Sequence, residues 1–215
     1  MAASTTLRGD AGEDWLAGDA GDNSVYGGGG NDWVEGQGGT DFLRGGSGDD
    51  TIIAGAGNDS AYGDLGRDEI ILNQGNDRAF GGKGADTIWG GDGRDRIKGQ
   101  GSNDFLSGDA GNDTLSGGNG NDALNGGAGN DHLRGGKGHD VFIYTSGHDV
   151  IWDFGPQDQW HLQIPEFADM DQIPLSALYG YSYQDGKTLV FDFGDGDVLE
   201  FRNMTFSGLN DALLQ

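Results

Sequence analysis

The sequence predicts an all-β fold. We expect a parallel β-roll, a right-handed, β-helix-like solenoid with two nonapeptides per coil, closed by a small β-rich C-terminal cap. Three observations predict it. Between Gly9 and Ile143 the chain repeats every nine residues, fifteen times, without an insertion or deletion. The eighth position of each unit is always apolar, from Leu16 and Val25 through Ile52 and Ile88 to Phe142. The fourth position is Gly in fourteen units, with Ser102 the exception, and the sixth is acidic in fourteen, with Asn23 the exception. A fixed period this short describes units that cannot bury an apolar face alone and must stack on their neighbours.

Composition sets a conflict that the fold must resolve. Of 215 residues, 45 are Gly and 34% are hydrophobic, and the net charge is -24. Glycine has the most backbone entropy to lose, and like charges oppose compaction. Yet the eighth position is patterned for burial, so a bound cation must cancel the repulsion. Nucleic acid is a poor partner for so acidic a chain. There is no Cys, which removes disulfides and thiolate metal sites. No apolar run approaches the length of a membrane span. The N-terminus, Met1 to Asp10, lacks the basic-then-apolar pattern of a cleaved leader.

Taken in order, Thr6-Leu7-Arg8 reads as the tail of a partial unit (1–8), and the roll occupies 9–152. In each unit the Gly-rich first six residues predict a turn, because several must adopt backbone angles that suit Gly. The last three predict a short strand whose middle, eighth-position residue points inward. The sixth-position acid closes each turn. Stacked turns would place these carboxylates roughly 4.8 Å apart, so a divalent ion is needed between them. Carboxylate and carbonyl oxygens suit Ca2+, whereas Mg2+ demands tighter geometry and Zn2+ prefers His or Cys. Two edge columns, of eight and seven turns, would take about 13 ions.

Tyr144 to Trp152 reads as a sixteenth, decayed unit that keeps Gly147, Asp149 and Ile151. The remainder, 153–215, is the cap. Tyr181 to Phe191 predicts a hairpin with Asp185-Gly186 at its turn, Val198 to Phe201 a further strand, and Ser207 to Leu214 a short helix. Asp192, Asp195, Asp197 and Glu200 are expected to flank a turn rather than to bind a further ion.

These units resemble the RTX family, the repeats-in-toxin or hemolysin-type calcium-binding nonapeptide repeats. The stretch from Asp149 to Leu162 is similar to the segment that closes many such arrays. The resemblance implies Ca2+ in the turns of a β-roll. It maps the ligand position onto Asp14, Asp32, Asp41, Asp50, Asp59, Asp68, Asp77, Asp86, Asp95, Asp104, Asp113, Asp122, Asp131 and Asp140. Asn23 takes the same place as a weaker ligand. It also implies an uncleaved C-terminal signal for type I secretion, within Asn210 to Gln215, and hence a secreted, extracellular protein. RTX proteases and lipases carry their catalytic domains N-terminal to such arrays, and only eight residues precede this one. The alternative implied by related modules is polysaccharide binding or adhesion within a larger secreted protein. Arg44, Arg78, Arg96, Lys98 and Arg134 are the candidates to line one face for it.

No catalytic signature is found: there is no H-E-x-x-H, no G-x-S-x-G and no Cys nucleophile. His132, His139, His148 and His161 read as surface residues. Trp15, Trp33, Ile53, Ile71 and Trp89 form an apolar outer stripe, which is either strand propensity or a surface for self-association or a ligand. Ala54 and Leu72-Asn73 replace glycines at expected turn positions, next to small inward residues Ala61 and Ala79. That stretch is expected to open first as calcium is withdrawn. Ice binding is discounted because the third position has no Thr, although the fifth holds seven Asn.

Overall fold

The computed structural model describes residues 4–162, 182–194 and 196–204. Among these residues all regular structure is β, arranged as one sheet of twelve strands and one of nine. Strands of the repeat pair in parallel at a constant offset of two units. Val25 lies beside Leu43, Leu43 beside Ala61, and Ile52 beside Ile70. Each nine-residue unit supplies one strand on one side of a flattened coil, so consecutive strands alternate between the sheets. The roll is the one the repeat predicts.

Its length exceeds the expectation. Thr5–Arg8 pairs in register with Asn23–Gly29, and Gln159–Leu162 pairs with Val141–Tyr144. The coils therefore run past the expected end at residue 152 through one further unit, Asp153 to His161, giving nine roll strands in each sheet. The strands are longer too. Phe42–Ser47 spans six residues, the seventh to ninth of one unit and the first to third of the next. Three were expected, but the glycines pair instead of turning: Gly28 lies beside Gly46 although both have positive φ.

This longer strand moves the core. Inward positions are the eighth residue and the first residue of the next unit. Val25, Val34, Leu43, Ile52, Ile70 and Ile88 are fully buried, and so are Ala54 and Leu72. The expectation that Ala54 and Leu72 stand in turns is corrected: they lie in strands Thr51–Ala56 and Glu69–Gln74 and point into the core. Glu69–Gln74 faces Ser60–Leu65 and Arg78–Lys83, the strands that carry Ala61 and Ala79. Leu72 thus supplies volume that the two alanines leave short. Reverting it to the consensus residue, Leu72→Gly, should cost about 3 kcal/mol, as large-to-small core changes do. A urea titration of the calcium-loaded chain reads this, and unchanged stability would refute the compensation. Hydrogen exchange across Ala54–Phe80 checks whether this stretch opens first.

The cap completes the sheet. Asp197–Arg202 runs parallel to His148–Ile151, taking the rung that the next coil would occupy. Thr188–Gly194 then pairs antiparallel with Asp197–Arg202, and Ser182–Asp185 with Thr188–Gly194, about a two-residue turn at Gly186 and Lys187. Aromatic rings plug the core end: Phe154 meets Phe201 edge-on at 5.0 Å, and Trp160 lies 5.5 Å from Phe191. An open layer of Leu and Ile would otherwise face water. The expected helix over Ser207 to Leu214 and the Asn210 to Gln215 tail lie outside the described residues.

The acids of the cap are engaged. Asp192 accepts from the Gly194 N–H (3.0 Å), Asp197 from the Gly147 N–H (2.8 Å), and Glu200 pairs with Arg202 (2.7 Å) and His148 (2.9 Å). Asp195 lies outside the described residues. The apolar stripe lies on the outer face of the nine-stranded sheet, where Trp15, 71% exposed, stacks on Trp33 at 4.9 Å. Among the described residues no helix is long and apolar enough to cross a membrane.

Candidate metal centre

The sixth residue of each unit precedes the strand, and the alternation of the strand turns its side chain inward at the edge of the roll. Asp32, Asp41, Asp50 and their successors to Asp140 are at most 3% exposed. Each carboxylate is shared with the previous coil. The N–H of Asp14 donates to Asp32 Oδ1 (2.9 Å), that of Asp32 to Asp50 Oδ1 (2.8 Å), and that of Asp50 to Asp68 Oδ1 (2.9 Å). The other edge repeats this from Asn23 through Asp41, Asp59 and Asp77. All the candidate ligands named from the sequence thus fall into two columns.

Two further residues join them. The N–H of Asp131 donates to Asp149 Oδ1 (3.1 Å) and that of Asp140 to Asp158 Oδ1 (3.0 Å). Asp149 was visible as the acid of the decayed unit. Asp158 was not, because its unit begins Asp153-Phe154-Gly155-Pro156 and has lost the leading glycines. The spacing from Asp140 was the available signal.

The second oxygen of each carboxylate poses the chemical question. Among the described residues, thirteen buried Asp Oδ2 atoms have no hydrogen-bond partner, from Asp32 to Asp131 and at Asp149. Two polar neighbours crowd that spot. A Cβ placed on Gly90 would lie 2.6 Å from Asp95 Oδ2 and 2.6 Å from the carbonyl oxygen of Gly108, one coil on. First-position glycine therefore leaves room for oxygens from two successive turns to converge.

Asn23 tests what belongs between them. There the side chain offers an N–H donor in the equivalent place, and Nδ2 donates to the carbonyl oxygens of Asp19 (3.1 Å) and Gly21. The sixth-position side chain thus faces backbone acceptors. At Asp32 to Asp131 and at Asp149 a buried Oδ2 without a hydrogen-bond partner stands there instead, and a cation would satisfy it. Asn23 brings its own donor to that place. Among the described residues no three Asp, Glu or His side chains gather closely enough to hold an ion by themselves, so backbone carbonyls must complete the shell. That mixture of carboxylate and carbonyl oxygens is the donor set of Ca2+.

The electrostatics agree. Burial pushes Asp68, Asp77 and Asp104 up to about 7, and Asp113 and Asp149 up to about 8. The backbone N–H from the previous coil opposes the shift, and neighbouring carboxylates of the column add to it in each of these five. Desolvation and like charge both disfavour the anion, and a divalent cation reverses both. The first turn differs: Asp14 Oδ2 accepts from the Asp10 N–H (2.9 Å).

A second ladder explains the fifth position. Asn58 Oδ1 accepts from the Asn76 N–H (2.8 Å), and Asn112 Oδ1 from the Asn130 N–H (2.8 Å). The row of Asn is a structural tie between coils.

Comparison with known proteins places the repeat. The crystal structure of the extracellular lipase LipA from Serratia marcescens is similar over 97% of this chain, with 18% identity and a TM-score of 0.45. The chain spans 39% of that lipase. No curated protein sequence matches it. The family model described as RTX calcium-binding nonapeptide repeat (4 copies) matches in overlapping windows from residues 8–43 to 116–151. Most of the chain lies within those windows, and it belongs to the family of RTX calcium-binding nonapeptide repeat proteins.

Proposed function

We propose that this chain is a secreted, calcium-responsive folding module without catalytic activity of its own. The observation that carries this reading is the double column of buried, unpartnered Asp Oδ2 atoms. In the cytosol Ca2+ is scarce, the columns repel, and the chain passes unfolded through a type I secretion channel. Outside, sites of the extracellular affinity class, with dissociation constants of about 10⁻⁴–10⁻³ M, fill and fold the roll. Ions sit between successive sixth-position residues of Asp14 to Asp140, with Asn23 the weak place, and the columns continue to Asp149 and Asp158.

The tally follows from the columns. Twelve of the thirteen unpartnered Oδ2 atoms lie in the fifteen units, whose two columns have thirteen gaps, and the last is that of Asp149. Native mass spectrometry of the calcium-loaded chain should show thirteen or slightly more bound ions, the excess arising at the ends of the columns. A count of half that or fewer would mean that alternate gaps stay empty and would sink the shared-ion arrangement. Export is checked separately. Co-expression with a type I channel should deliver the chain to the medium, and removing Asn210 to Gln215 should abolish this. Undiminished export would remove the signal from the tail.

A second role, polysaccharide binding, is favoured by one observation: nine of the twelve Lys and Arg residues lie in strands of the twelve-stranded sheet and none in strands of the other.

A further inference from the structure

Asp14 and Asp158 end one carboxylate column, and Asn23 and Asp149 end the other. Three of these four ends are closed within their own turn. Asp14 Oδ2 accepts from the Asp10 N–H (2.9 Å), Asn23 Nδ2 donates to the Asp19 carbonyl oxygen (3.1 Å), and Asp158 Oδ2 accepts from the Gly155 N–H (2.6 Å). Asp149 is the exception. It is 0% exposed, and its Oδ2 has no hydrogen-bond partner. A fully buried carboxylate oxygen left bare calls for a cation.

What lies beyond Asp149 is the cap, not a further coil. Asp197–Arg202 takes the next rung, with Leu199 beside Asp149. Leucine thus stands where the repeat would set an acid, and the acid lies two residues earlier. By strand alternation Asp197 shares the inward side with Leu199 and Phe201, which are at most 1% exposed. Its Oδ1 accepts from the Gly147 N–H (2.8 Å), although fifty residues separate the two. The Val198 N–H donates to the Gly147 carbonyl oxygen (2.7 Å), so the carboxylate is held against the last turn from both sides.

Tyr144, 2% exposed, meets the same place. Its hydroxyl donates to the Gly147 carbonyl oxygen (2.7 Å). Burial, and then the charges of Asp197 and Asp149, hold that hydroxyl above its ordinary pKa, so both carboxylates act on one phenol. Among the described residues the basic groups of this junction are engaged elsewhere: His148 and Arg202 both pair with Glu200, at 2.9 and 2.7 Å, on the outward side of the strand.

We propose that a divalent cation binds at this junction, shared between Asp149 of the roll and Asp197 of the cap, and that it ties the cap to the last coil. Two carboxylates beside a phenol oxygen suit Ca2+. The site differs from those of the array because one of its acids comes from outside the repeat. Filling it fixes Asp197–Arg202 on the last rung and keeps Phe201 over Phe154, which closes the apolar end of the core. Without the ion the two carboxylates repel each other across the junction. The inference rests on the calcium filling proposed above for the columns.

The test uses the full chain. Native mass spectrometry counts the ions, and hydrogen exchange during a calcium titration compares residues 188–202 of the cap with 23–119 of the roll. Asp197→Asn keeps an acceptor for the Gly147 N–H and removes the charge. It should bind one ion fewer than the parent, and the calcium midpoint for protection of the cap should rise at least about tenfold while that of the roll stays within about twofold. Asp192→Asn, in the same hairpin, should match the parent in both readings. An unchanged ion count for Asp197→Asn, an unshifted cap midpoint, or equal damage from Asp192→Asn overturns the inference and leaves the columns standing. A crystal structure of the calcium-loaded parent needs no variant. An ion within about 2.6 Å of oxygens from both Asp149 and Asp197 is expected, and a junction closed by water or side chains alone overturns the proposal. A parent chain that gains no protection anywhere with calcium overturns the column reading as well.

Discussion

Chelating calcium from the folded chain at pH 8 should abolish most of its β signal in circular dichroism, and restoring millimolar Ca2+ should return it. The magnitude decides the matter. An uncompensated buried carboxylate costs several kcal/mol, and a domain of this size has about 5–15 kcal/mol of total stability. Thirteen buried oxygens without a partner exceed that many times over. The core cannot compensate, because each coil contributes about four inward positions and several of them are glycine. Collapse should therefore be near complete rather than a loosening of the turns.

The pH dependence of the chelated chain sharpens this expectation. Asp68, Asp77 and Asp104 are raised to about 7, and Asp113 and Asp149 to about 8, from an ordinary value of 3.8. Between 3.8 and those values the folded chain holds more protons than the unfolded one, so metal-free stability falls as pH rises. Without calcium, more β structure is expected at pH 5 than at pH 8, because protons stand in for the ions. With saturating calcium the advantage of pH 5 should vanish, since protons and Ca2+ compete for the same oxygens. A compact β signal that survives exhaustive chelation at pH 8 would contradict the role assigned to the columns.

Gly111→Val is the substitution expected to do most damage for its size. Gly111 holds the fourth position with φ +146°, and a Cβ there would collide with the carbonyl oxygen of Gly93, one coil earlier. A β-branched residue at positive φ adds backbone strain. The sum should exceed about 3 kcal/mol and raise the calcium midpoint for folding. Gly12 is the internal control. It holds the same position in the first unit, where a Cβ would meet only Asp10 Oδ1 at 3.7 Å. Gly12→Val should cost less than about 1 kcal/mol. Equal effects at the two sites would mean that the glycine requirement is local to the turn rather than imposed by stacking.

The native exceptions support the distinction. Gln37, Asp64, Asn73, Gln100 and Asp109 hold positive φ at the second position, and Ser102 at the fourth, with φ between 67° and 85°. The positive-φ glycines at these positions in the roll lie between 94° and 146°. An unbranched side chain is accommodated by a shift toward the left-handed helical region, at a cost of about 1 kcal/mol. Among the residues that hold positive φ at these positions none is β-branched.

Much of the fold was legible because a period is a local property that stacking makes global. Once Val25, Leu43 and Ala61 are seen to be eighteen residues apart, their pairing follows, and so do the two carboxylate columns. The strand length was misjudged because glycine signals a turn, whereas the first-position glycines here lie in strands and keep space open over an Asp oxygen. Leu72 was misread for the same reason. Asp158 was missed because the glycines around it had gone while its place on the rung remained.

The sequence by itself determined which residues stack on which, because fixed spacing leaves one register. It also pointed to a bound cation, because the charge and the burial pattern otherwise conflict. Only the tertiary structure decided how the carboxylates from Asp32 to Asp131 divide their two oxygens, one accepting from the amide of the previous coil and one left without a hydrogen-bond partner. It also decided where the roll ends. Asp197–Arg202 docks beside His148–Ile151 from far along the chain, and its pairing rests on shape and aromatic packing that no nine-residue rhythm encodes.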